Sequence, residues 1–113
     1  MAISFDSIGQ ECVTVTSSNT ISENIPCKFS SSRTVAACAD GNAIHGICLR
    51  QANHLVTLMV RGFVTLPYSG SVPTVGFCPL AGAGSGKVKK LDGAKEYLVT
   101  EVNTTNTTVT FLL

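Results

Sequence analysis

The chain has 113 residues, 44% of them hydrophobic and only 13% charged, with eight basic residues against seven acidic ones. That length fits one domain, and a formal charge of +1 gives no electrostatic footprint for nucleic acid. No apolar run approaches the roughly 18 residues of a membrane-spanning helix, and the start MAISFDSIGQE lacks the basic and apolar regions of a signal peptide. The expectation is therefore a single domain over 1–113 that engages neither nucleic acid nor membrane. Where charge is this scarce, Ser, Thr, Asn and Gly must cover the surface, which suits a chain that packs against neighbours.

In chain order the pattern is strand after strand. CVTVT (12–16) alternates and ends in the polar SSNT, and residues 1–11 before it read as a loosely ordered N-terminal arm. IPCKFS (25–30) follows, then RTVAAC (33–38), which stops at Ala39-Asp40-Gly41-Asn42, a strong turn signal. AIHGICLR (43–50) runs into QANH, and LVTLMVRGFVTLPY (55–68) is the longest strand candidate, with Gly62 marking a bulge or bend. FCPLAG and KVKKL flank a glycine-rich stretch, with room for one short helix near PTVGFCPL. KEYLVTEV (95–102), the turn NTTN and TTVTFLL (107–113) close the chain as a hairpin. No segment carries apolar residues at helical spacing, and turn signals recur roughly every 8–12 residues. The predicted fold class is all-β, a small barrel or sandwich of antiparallel strands with little or no helix.

The stretch LAGAGSGKVKK (80–90) raises the question of a phosphate-binding loop. A P-loop needs glycine at the position of Ala81 and a hydroxyl at that of Val88, with a helix after it. Both positions fail, and a second glycine and a β-branched run follow instead, so a glycine-rich turn between strands is expected. The cysteines, at 12, 27, 38, 48 and 78, form no C-x-x-C pair. Reduced thiols acting as small core hydrophobes are the expectation, with neither metal nor cofactor. Cys48, His54 and Asp40 assemble a nucleophilic triad only on paper, because the strained turn that presents a nucleophile is missing. The acids are scattered, and there is no Trp and only two Tyr for stacking a sugar or base. The sequence gives no reason to expect an enzyme.

The order of segments resembles small capsid-decoration proteins of tailed bacteriophages and prophages, the head-stabilising or head-fibre-base kind. The residues that carry the likeness are Val60, Gly62, Phe63, Val64 and Pro67, then Val75, Gly76 and Phe77. In the closing hairpin they are Val102, Thr108, Val109, Phe111 and Leu113. The resemblance implies a structural virion protein on the outer surface of the head, made in the bacterial host cytoplasm. It also implies a homo-oligomer, a trimer by preference, bound to the major capsid protein without cofactor or catalysis. Five cysteines and a short N-terminal arm depart from the family's pattern.

Under that reading subunit contacts fall on RGFVTLPY and the C-terminal hairpin, at Arg61, Phe63, Leu66, Tyr68, Val109 and Phe111, because long apolar strands in a small domain must be paired somewhere. The glycine-rich stretch becomes a mobile turn at the outer tip of the particle. The alternative is a monomeric β module that binds a small ligand or carbohydrate.

Overall fold

Gly62 divides the long apolar run in two. Its φ of +138° is open to glycine and strained for other residues, and the chain turns there from one barrel into another. The computed structural model describes residues 10–17 and 19–113. It is all-β: β1 (Glu11–Ser17), β2 (Ile25–Ser31), β3 (Thr34–Ala37), β4 (Gly46–Ala52) and β5 (Leu55–Arg61) close one barrel in the order β1-β3-β2-β4-β5. β6 (Phe63–Ser69), β7 (Gly76–Gly84), β8 (Lys87–Lys90), β9 (Glu96–Asn103) and β10 (Thr108–Leu112) close a second. No helix occurs among the described residues. The segment around PTVGFCPL, where a short helix had room, is loop and then β7, its alternation favouring a strand. Of the expected arm, Glu11 opens β1, and residues 1–9 lie outside the described residues.

The barrels are two copies of one topology. In each, the first strand pairs parallel with the third and antiparallel with the fifth, and the second and fourth complete the ring. The registers match: Val15 opposite Val56 becomes Leu66 opposite Val109, and Thr14 opposite Thr57 becomes Thr65 opposite Thr110. Cys48 opposite Leu58 becomes Val99 opposite Phe111, and the bulges at Leu49 and Thr100 fall at the same step. Counterparts thus stand 51 residues apart on the first and fourth strands and 53 apart on the fifth.

Alternation explains each strand. β6 turns Val64, Leu66 and Tyr68 inward and Phe63, Thr65 and Pro67 outward. The Tyr68 N–H donates to Thr107 O on the β10 side, so the nitrogen of Pro67 points to the other side, where pairing with β8 begins only at Tyr68. A residue without an N–H costs no ladder bond there. Val15, Cys27, Val35, Cys48, Val56 and Leu58 fill the first barrel. The second core, built around Phe111, Leu66, Leu80, Val88, Val99 and Val109, also takes in Cys38, Ile44, Ile47 and Met59 from the first half. Ile47 and Met59 belong to the outer face of the first barrel, so the two barrels share this core. Burial of each such side chain contributes about 1.5–3 kcal/mol.

Candidate functional site

The residues with chemical potential are kept apart. Cys48 is fully buried in the first barrel, its thiol turned to the Ile21 carbonyl at 4.0 Å, and burial pushes its pKa up. A thiol held in its neutral form is a poor nucleophile. His54 is exposed in the β4–β5 turn, and Asp40 pairs with Lys89 at 2.7 Å. His45 is exposed, accepts the Phe29 N–H at Nδ1 (2.9 Å) and stacks on the Phe29 ring. All five cysteines are free, four of them buried and Cys12 exposed. No group of three His, Cys, Asp or Glu among the described residues could hold a metal ion.

The glycine-rich stretch has a structural task. It forms the β7–β8 hairpin, whose turn is Ser85-Gly86, and it packs along the seam between the barrels. The Gly82 N–H donates to Asn42 O and its carbonyl accepts the Gly41 N–H, both at 2.8 Å. A Cβ on Gly86 would stand 2.7 Å from Cδ1 of Ile25. The small residues let the first barrel press against this hairpin, and a phosphate site would need those same N–H groups free.

The expected contact residues divide. Leu66, Tyr68, Val109 and Phe111 point into the second barrel and are buried, because alternation puts them on its inner face. They cannot meet another subunit while that barrel is closed. Arg61 is exposed and Phe63 half-buried on the outside. The surface that does face outward is a row in register across four strands: Phe77 on β7, Leu98 on β9, Leu112 on β10 and Phe63 on β6. Phe77 is 71% exposed, and the loop before it adds exposed Val72 and Val75. The outward positions of EYLVTEV and TTVTFLL carried a signal for it: Leu98 and Leu112 are apolar where a polar outer face is the rule.

A cleft of about 360 Å³ opens beside the seam, lined in part by Gly41, Ile44, Leu91, Lys95 and Tyr97. Its one phenol is committed, Tyr97 Oη donating to Ile44 O at 2.9 Å. The Lys95 ammonium lies 5.3 Å from the centre of the Tyr97 ring.

The chain matches no protein-family model and no curated protein sequence.

Proposed function

We propose that this chain is a structural assembly protein that decorates the outer surface of a tailed-phage or prophage head. It does so by self-association and by binding the shell of major capsid protein. The observation that carries the reading is the outward row Phe77, Leu98 and Leu112, extended by Val72 and Val75. A row of this kind on a domain with so little charge calls for a protein surface to cover it. The resemblance over Val60–Pro67, Val75–Phe77 and the closing hairpin supplies the kind of surface, and favours a trimer. The buried thiols of Cys27, Cys38 and Cys48, raised by burial, and the separated histidines favour a binding role.

Head particles from cells that carry this gene, sedimented on a gradient and probed with an antibody against the chain, test the reading. Co-migration with heads, at an amount comparable to the shell subunit, is expected. Particles free of the chain would remove the proposal.

A second reading, a small ligand-binding module, is favoured by the cleft beside Tyr97, whose volume sits at the low end for ligand pockets. It calls for a monomer whose melting temperature rises with a small molecule, and for loss of that rise in Lys95→Ala.

A further inference from the structure

The duplicated fold says how one copy can meet another, a step that rests on the self-association half of the reading above. Within one molecule the barrels meet as a projection and a seat. The projection is the outer row of the first barrel, Pro26, Ile47 and Met59, in register across β2, β4 and β5 and almost fully buried. The seat is the side of the second barrel where β6 lacks a neighbour: β6 meets β8 only at Tyr68 and Ser69. There Met59 and Ile47 complete the same buried cluster as Val64 and Leu66.

Each of these surfaces has a counterpart that is left more open among the described residues. Phe77, Leu98 and Leu112 hold the positions of Pro26, Ile47 and Met59 on the second barrel. On the first barrel β1 meets β3 only at Thr16 and Ser17. Val13 there faces inward opposite Leu58, as Val64 does opposite Phe111, yet Val13 is 43% exposed and Val64 8%. Phe29, at the position of Gly82 in the second barrel, is 41% exposed as well. The molecule therefore carries one spare projection and one spare seat, at the two ends of its duplication.

We infer that the outer strip of one copy seats on the β1–β3 side of a second copy, head to tail, repeating the contact the two barrels make inside each chain. Such a contact is heterologous, and it closes a ring or continues as a filament according to the rotation between copies. The repeat has local differences. Phe29 stands where Gly82 admits Cys38, and the β8–β9 connection that would approach it is shorter than its counterpart between β3 and β4. Ala36 stands in the place of Lys89, so the Asp40–Lys89 ion pair has no equivalent and the contact is apolar. Association should therefore persist at high salt.

Light scattering after size exclusion tests this on the full chain and two variants, Phe77→Asp and Val13→Asp, each checked for its strand spectrum by circular dichroism. Phe77→Asp keeps the seat and loses the strip, and Val13→Asp does the reverse. The wild type is expected to associate in low and high salt, and each variant alone to be a monomer. Their equimolar mixture is expected to form a heterodimer and stop there. Phe29→Ser serves as the seat variant if Val13→Asp unfolds. A monomeric wild type at its highest soluble concentration overturns the inference. So does a seat variant that assembles like wild type, since the strip would then be meeting itself. A wild type that assembles as described yet never sediments with heads supports this inference and removes the decoration reading.

Discussion

Gly82 on β7 lies directly beneath Cys38 at the end of β3: a Cβ placed on Gly82 would stand 2.5 Å from the Cys38 Cβ and 3.3 Å from the Ala39 carbonyl oxygen. The backbone of Gly82 is ordinary, so room alone demands glycine here. Both of its backbone hydrogen bonds cross to the Gly41–Asn42 turn, and this one position joins the two barrels by contact and by hydrogen bond.

Gly82→Ala should destabilise the fold by about 1–3 kcal/mol, because neither barrel can recede without breaking those bonds. Urea unfolding measures it as a lower midpoint at unchanged slope. The cause is separable from general damage by a double-mutant cycle with Cys38→Gly, which removes the opposing Cβ. The two changes should couple by roughly 0.5–3 kcal/mol in the relieving direction. Simple additivity would mean that the close approach is not what demands glycine.

Met59 and Leu112 hold equivalent places on the two barrels, and only Met59 is covered. In dilute, monomeric protein Met59→Ala should cost about 2–5 kcal/mol, the range for emptying a core position. Leu112→Ala should cost less than half of that, since water already reaches its outer side. Equal losses would contradict the asymmetry between the covered row and the open one.

The strand runs were legible because alternation and turn chemistry are local, although 55–68, read as one long strand, is β5 and β6. Val13, Val15 and Ser17, or Val64, Leu66 and Tyr68, declare one face without help from the rest of the chain. Gly62 marked a bend for the same reason, but not that the chain passes there from one barrel to the next. The duplication was not legible, because it survives in register and bulges while counterparts differ in size: Gly46 against Tyr97, Phe29 against Gly82. The spacing also shifts from 51 to 53 between strands, which blurs any direct self-comparison. The contact residues were misplaced by the same limit. Apolar content marked RGFVTLPY and TVTFLL as strands with something to bury, but which alternate residues face inward depends on where each barrel closes. The task of the glycine-rich stretch depends on what packs over it, and Cys38 and Ile25 lie far away in sequence.

Tyr97 holds the β3–β4 loop to the second barrel through a buried hydrogen bond, its hydroxyl to Ile44 O at 2.9 Å, while the Asp40–Lys89 ion pair ties the same loop at a more exposed point. Tyr97→Phe keeps the ring, which lies 5.4 Å from that of Phe111, and strands the Ile44 carbonyl. The expected cost is about 1–3 kcal/mol, read by thermal or urea unfolding. Hydrogen exchange should quicken at the amides of the 38–45 loop more than at β1. Uniform quickening across both barrels would show that the hydroxyl does not hold that loop in particular.

The buried thiols set an alkaline limit on stability. Burial pushes Cys27 up to about 12 and Cys38 up to about 11, from an ordinary value of 9.0, and it raises Cys48 as well. In the unfolded chain these thiols ionise near pH 9, while in the fold they stay protonated. Above pH 9 the unfolded state thus binds fewer protons than the folded one, and stability falls with rising pH. The contribution is whole below about pH 9 and is lost progressively up to pH 11–12. Melting temperatures recorded between pH 8 and 11 should decline through this window, and Cys27→Ala should make the decline shallower. A thiol reagent at pH 8 should meanwhile label Cys12 alone among the five cysteines of the folded chain, the other four reacting only on unfolding. Rapid labelling of a second thiol in the folded protein, or an unchanged slope in Cys27→Ala, would contradict this account of the buried cysteines.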